Sequence, residues 1–269
     1  MGFSSRSHGK RVPVQAQNFD FKRYLARIGF QGEAKADLAT LTELMRLQLR
    51  SVPFENLDVQ AGRVVSLVPE DIVQKIVNQK RGGYCYELNG LFSMALEALG
   101  ISHFFVAARP MFYAERRPKT HMAILVKLAD QDWLCDLGFG SYGLRAPLSM
   151  DVLETEVHQD QDKFMLSLLP DQEYLLQACI ARQWTAQFSF SPVAQEWLDF
   201  SPVNYMNSTH PESIFVKQLL VILQTPEGRK ILSDKVLKNW SHGTLTQRVL
   251  ADSELPGVLR EEFGIDVPS

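Results

Sequence analysis

Cys85 is the residue of this chain best placed to act as a nucleophile. It lies in Arg81-Gly82-Gly83-Tyr84-Cys85-Tyr86-Glu87-Leu88-Asn89, where the paired glycines predict a sharp turn. After it, Leu88, Leu91, Phe92, Ala95, Leu96 and Leu99 recur at three- and four-residue steps, and Gly100 ends the pattern. That spacing predicts a helix with one buried stripe and Cys85 in its first turn. Unpaired backbone N–H groups there carry partial positive charge and favour the thiolate, the reactive form of the thiol. A lone cysteine in a helix is more often core filler, so the assignment turns on its companions.

A thiol nucleophile needs a base, and the base needs a third group to fix its tautomer. Of the six histidines, His8 lies near the N-terminus, His103 precedes core residues and His158 sits among charges. His121 opens the apolar run Met122-Ala123-Ile124-Leu125-Val126, where a polar residue at a sheet rim can face a cleft. Asp136 ends the next run between Leu134-Cys135 and Leu137, and a carboxylate in that setting requires a partner. A hairpin turning symmetrically about Gln131 sets His121 opposite Ser141, so Asp136 reaches it only through a bulge, a longer loop or strong twist. Gly138-Phe139-Gly140 follows, read as a tight loop whose glycines could admit a thin acyl-carrier arm. Phe139 and Phe105 are the candidate rings for an aromatic pocket. A zinc site from Cys85, Cys135, His121 and Asp136 is the rival, disfavoured by the absence of ligand-type spacing. Cys179 reads as core filler. Arg27, Glu55 and Arg81 are charges among apolar neighbours, and a carboxylate bridging two guanidiniums would brace the helices behind the thiol.

Three kinds of segment must position these groups. Residues 19–28, 36–49, 69–79 and the cysteine segment read as helices. From residue 103 the period becomes strand-like, at 103–109, 120–127, 133–137, 164–169, 174–180 and 184–190, which predicts an antiparallel sheet or small barrel. Residues 213–223 suit a strand or a short helix, 229–232 read as extended, and 245–251 and 257–263 as helices. A helical start, a β middle and a mixed end make the chain α+β.

With 269 residues, 45% of them apolar and 22% charged, the composition is that of a globular protein. The net charge of −3 gives no basic footprint for nucleic acid, and no apolar run approaches membrane-span length. Residues 1–18 read as a flexible tail without a secretory h-region. Three scattered cysteines suit a reducing cytoplasm, so a cytoplasmic location is expected.

The motif Arg81-Gly82-Gly83-Tyr84-Cys85, with Glu87 and Asn89, resembles the signature of the arylamine N-acetyltransferases. Tyr24 to Gly29, Pro53-Phe54-Glu55-Asn56-Leu57, Thr120-His121, Asp136 to Gly140, Ser208-Thr209-His210-Pro211-Glu212-Ser213, Thr225 to Arg229 and Glu262 to Ile265 are similar to further landmarks of that family, in order. Cys135 departs from it, standing where valine is frequent. The resemblance implies a papain-like cysteine core with an N-terminal helical domain (19–100), a central antiparallel β-barrel (101–203) and a C-terminal α/β lid (204–269). It implies Cys85 as nucleophile, His121 as base and Asp136 as orienting carboxylate, with Phe105, Thr120, Gly138, Phe139 and Gly140 near substrate or CoA. Acetyl-CoA would be the acyl donor, with no metal, and arylamines, arylhydrazines or N-hydroxyarylamines the acceptors, in two steps through an acetyl-cysteine. Backbone N–H groups of Cys85 and of one residue in 137–139 would hold the oxyanion. The alternatives are an amide synthase or related acyltransferase with another acyl donor, a thiol hydrolase, and a binding protein for which Cys85 is dispensable.

Overall fold

A computed structural model describes residues 13–266. Residues 1–12 of the expected tail lie outside the described residues. Residues 13–18 are held: Val14 is buried, and Gln17 N–H and Asn18 Nδ2 both bond Glu70.

The first third is helical, as its periodicity predicts. Helix α1 (Phe21–Ile28) is capped by Asp20 and ended by Gly29 at φ +77°. Helix α2 (Leu38–Ser51) is capped by Asp37. The short strand β1 (Phe54–Glu55), helix α3 (Leu57–Gln60) and helix α4 (Pro69–Val73), prolonged by a π-helical turn to Asn78, lead to α5 (Cys85–Ala98). Instead of one buried stripe, α5 is buried all round from Cys85 to Leu96, polar Glu87, Asn89 and Ser93 included. It runs between the other helices and a sheet, so each of its polar groups must find a partner inside the protein.

That sheet has eight antiparallel strands: β2 (Ser102–Pro110), β3 (His121–Leu128), β4 (Gln131–Cys135), β5 (Leu148–Ser149), β6 (Val157–Gln159), β7 (Asp162–Leu168), β8 (Tyr174–Ile180) and β9 (Gln183–Gln195). Their order is β5-β4-β3-β2-β9-β8-β7-β6. The expected barrel is not closed by a ladder. Its two edges meet instead through Gln159, whose side chain accepts from Arg145 N–H and Ala146 N–H and donates to Ala146 C=O. Arg145 pairs with Asp162 across the same seam.

After α6 (Ser201–Thr209) and α7 (Ile214–Lys217) come β10 (Leu220–Thr225), β11 (Gly228–Ser233), β12 (Val236–Ser241), β13 (Thr244–Val249) and α8 (Leu255–Phe263). The segment 213–223 is therefore helix and strand in turn. The helix expected at 245–251 is instead edge strand β13, paired to β12. All six of its residues are exposed, so no buried face marked its period and pairing decided its form. Strands β10 to β13 extend β1 into a second sheet. Helices α1, α2, α4 and α5 share one hydrophobic core with the eight-stranded sheet, whereas the second sheet and α8 enclose a smaller one of Leu219, Val221, Leu232, Val258, Phe263 and neighbours. Among the described residues no helix is long and apolar enough to cross a membrane.

Candidate active site

Cys85 is the first residue of α5 and is 3% exposed. Its approach is set by contact rather than by a glycine turn. Gly82 and Gly83 lie against the β1 segment, with Gly83 N–H bonded to Pro53 C=O and Glu55 N–H to Gly83 C=O. A Cβ on Gly82 would stand 2.0 Å from Pro53 O. Glu87 accepts Tyr84 N–H through Oε2 at 3.0 Å and Lys75 Nζ through Oε1 at 2.7 Å, which fixes the helix start.

The bracing charges differ from the expected trio. Glu55 takes Arg81 through Nε and Nη2 at 3.0 and 2.7 Å. Arg27 does not join it, bonding the carbonyls of Ile76 and Ser51 at 2.9 and 2.8 Å. The second cation is Lys75, which also reaches Asp58 at 2.6 Å. Although burial opposes its charge, Glu87, Glu55 and Asp58 push the Lys75 pKa up. Burial pushes Glu87 up to about 7, with Lys75 pulling against it and Glu55 adding to it.

The β3–β4 hairpin turns at Ala129-Asp130, both at positive φ, and not about Gln131. Ile124 pairs with Cys135, so a continued ladder would face His121 with Gly138. The ladder stops at Cys135 instead, and the departing chain swings Asp136 to His121. Asp136 Oδ2 lies 2.7 Å from His121 Nε2, and both residues are buried. Asp136 Oδ1 accepts Gly138 N–H at 2.9 Å and Asn89 Nδ2 at 3.2 Å. With an ionised carboxylate there, Nε2 carries the ring proton and Nδ1 is left as the acceptor.

Asn89, one turn after Cys85, carries a structural role that its place in the motif does not reveal. Its Nδ2 also donates to Met122 C=O at 2.8 Å and its Oδ1 accepts Leu137 N–H at 3.0 Å. One side chain thus ties the cysteine helix to β3 and to the segment that follows β4. Gly138 closes the group, since a Cβ there would fall 2.3 Å from Cys85 Cα.

Cys85, His121, Thr120, Gly138 and Phe139 line one cavity of about 290 Å³. Phe139 and Phe188 each lie 5.1 Å, centroid to centroid, from the His121 ring. Phe112 meets Phe139 at 5.9 Å. The cavity wall includes Tyr113, Arg117, Asn207 and Phe215, which sequence reasoning missed. The first two lie in a loop without periodicity. Asn207 adjoins the Ser208-to-Ser213 motif, the only signal that pointed near it.

Two expected pocket residues lie elsewhere. Phe105 packs on Trp197 and Phe200 and lines a separate cavity with His103. Gly140, at φ +93°, offers its carbonyl to Gln224 Nε2 at 2.8 Å and borders a smaller chamber under the Asp136 loop.

Electrostatically the thiol stands in opposed influences. Burial and then the Asp136 carboxylate push its pKa up, while backbone N–H groups of Met122 and Tyr86 hold it down. A thiolate at Cys85 therefore requires a cation beside it. Among the described residues, no group of three or more His, Cys, Asp or Glu is arranged to hold a metal ion.

A sequence-family model described as N-acetyltransferase matches residues 37–269. Over 251 residues the chain is 32% identical to the arylamine N-acetyltransferase of Escherichia coli (strain K12), covering 91% of this chain and 88% of that one. It is 32% identical over 257 residues to that of Mycolicibacterium smegmatis, covering 92% of each. The solved arylamine N-acetyltransferase of Nocardia farcinica superposes with a TM-score of 0.87 at 34% identity, over 93% of this chain and 91% of that one. That of Mycobacterium marinum, solved in complex with CoA, gives 0.86 at 29% over 91% and 93%. The chain belongs to the arylamine N-acetyltransferase family. It is an enzyme of the transferase class.

Proposed function

We propose that this chain transfers an acetyl group from acetyl-CoA to an arylamine, arylhydrazine or N-hydroxyarylamine, through an acetyl-cysteine at Cys85. The observation that carries the mechanism is the buried His121–Asp136 bond on the cavity wall that also holds Cys85. Raised by burial, the thiol ionises by giving its proton to His121 Nδ1, while Asp136 stabilises the imidazolium. The thiolate attacks the thioester carbonyl, CoA leaves with the proton returned by His121, and the acetyl group stays on sulfur. The amine nitrogen then attacks the acetyl-cysteine, His121 takes its proton, and Cys85 departs as thiolate. Leu137 N–H and Gly138 N–H are engaged by Asn89 and Asp136, so the oxyanion falls to the N–H groups of Cys85 and Phe139. Rings at Phe139, Phe112 and Phe215 on the cavity wall suit a flat aromatic acceptor. CoA in the solved relative from Mycobacterium marinum supports the donor.

The finer architecture belongs to the same reading: a papain-like meeting of helix and sheet, with regions 19–100, 101–203 and 204–269 as helical, β and lid parts. The separate core of the second sheet supports the last division. The chain acts in the cytoplasm. Steady-state rates over both substrates test the proposal. Parallel double-reciprocal plots, abolished turnover in Cys85→Ser and an unchanged thermal midpoint are expected. Intersecting lines or substantial turnover by Cys85→Ser would reject it.

A further inference from the structure

Beside His121, strand β3 has a strand neighbour on one side only, because β4 leaves the ladder after Cys135. Thr120 and Met122, the residues flanking His121, turn backbone groups toward this vacated side, and the cysteine helix takes them up. Met122 C=O accepts Asn89 Nδ2 at 2.8 Å. Thr120 C=O accepts the Tyr86 hydroxyl at 2.7 Å and Asn207 Nδ2 at 3.1 Å. Asn207 Nδ2 also donates to the Tyr86 oxygen at 3.2 Å, so the three groups close a small ring of hydrogen bonds. Tyr86 is fully buried and Asn207 nearly so, where an unsatisfied carbonyl is costly and the bonds are correspondingly directive.

Tyr86 touches both halves of the reacting pair. It follows Cys85 directly in the chain, its backbone N–H is among the groups that hold the thiol pKa down, and its phenol bonds the carbonyl that precedes His121. Asn207 brings the same carbonyl under the hold of α6, where Ser213 Oγ in turn bonds Asn207 C=O at 2.7 Å. We propose that Tyr86 and Asn207 are positioning residues that set the imidazole of His121 against the Cys85 sulfur by fixing the Thr120–His121 peptide. The inference rests on the reading of Cys85 and His121 as the reacting pair. Its physical content is that the carbonyl, once released, lets the start of β3 drift from the helix, and the thiolate loses its counter-cation.

The titratable groups around the sulfur are His121 from β3, Asp136 from the segment after β4, and Tyr84, Tyr86 and Glu87 from its own segment, while Tyr113, Arg117, His210 and Glu212 line the same cavity. Of the cavity groups able to carry positive charge, His121, Arg117 and His210, only His121 directly follows the Thr120 carbonyl, so a change in the acid limb on releasing that carbonyl reports the distance of its imidazole. The Tyr86 ring is held independently by Tyr84 at 5.3 Å and Phe200 at 5.7 Å, and Tyr86→Phe removes the hydroxyl alone.

The test is the rate of Cys85 alkylation by iodoacetamide against pH, without substrate, for wild type, Tyr86→Phe, Asn207→Ala and the double variant. Wild type should stay reactive well below the ordinary thiol range; a profile with no such acid limb refutes the ion pair itself. Given that limb, each single variant should alkylate about threefold more slowly at about pH 6 and the double about tenfold, with rates converging at high pH. Thermal midpoints monitor folding, and Asn207→Ala probes the same carbonyl from α6 if Tyr86→Phe is unstable. Profiles superimposable on wild type, or rates lowered equally at every pH, overturn the inference while leaving the reacting pair intact.

Discussion

Replacing Gly138 by alanine should disable the site by displacement alone. A Cβ at Gly138 would stand 2.3 Å from Cys85 Cα, 2.9 Å from its Cβ and 3.0 Å from its carbonyl oxygen. These are backbone or backbone-proximal atoms in the buried first turn of the helix, so no side chain can swing away. Reaching ordinary contact near 3.4 Å requires the Asp136–Phe139 loop and the helix start to part by about 1.1 Å. The same movement pulls on Gly138 N–H, which holds Asp136 Oδ1 at 2.9 Å, and so on the carboxylate that orients His121. A misplacement of this size costs on the order of 10²-fold in rate, and overpacking costs about 1–3 kcal/mol in stability. The assay is CoA release with an arylamine acceptor, read as kcat/KM beside a urea unfolding curve. Gly257→Ala in α8 serves as control, because a Cβ there meets nothing within 4 Å; it should keep full activity and gain up to about 1 kcal/mol. Gly138→Ala activity within about threefold of wild type would refute the close approach on which the geometry depends.

Two further substitutions probe the charges. In Asp136→Asn, Gly138 N–H and Asn89 Nδ2 draw the amide oxygen to the Oδ1 position, leaving its NH₂ facing His121 Nε2. The ring must then carry its proton on Nδ1 and cannot accept that of the thiol, so kcat should fall on the order of 10³–10⁴-fold; a rate near wild type would remove Asp136 from the chemistry. Glu87 is held protonated up to about 7 in the folded chain against an ordinary value of 4.5. The folded state then binds the extra proton between those values, and stability should fall as pH rises through that window. In Glu87→Gln this slope should vanish from urea midpoints taken across the window, and identical slopes in the two proteins would contradict the assignment.

Much of the site was legible because local periodicity and residue chemistry agreed. The run from Leu88 to Leu99 fixed helix α5 and its first turn, and the apolar strand after His121 fixed β3. What stayed hidden depended on tertiary placement. The turn at Ala129-Asp130 uses positive φ at an alanine, a conformation nothing in its identity announces, so the expected register slipped. The departure of β4 after Cys135 is imposed by Asn89 and Gly138, whose contacts cross the fold. Alternation placed Phe105 on a strand face but could not say which cavity that face overlooks. Arg27 read as an ion-pair partner because its charge was visible, whereas the carbonyls it satisfies were not. Strand β13, exposed throughout, carried no period to read.

The claim at the centre of this account is that the acetyl group rests on one sulfur between the two half-reactions. Intact mass of the protein after mixing with acetyl-CoA, with no acceptor present, tests it most directly. A gain of one acetyl group is expected, mapped to the peptide bearing Cys85, discharged by an arylamine and absent from Cys85→Ala. An unmodified wild-type mass under conditions that support turnover, or an acetyl group carried on another residue, would contradict it.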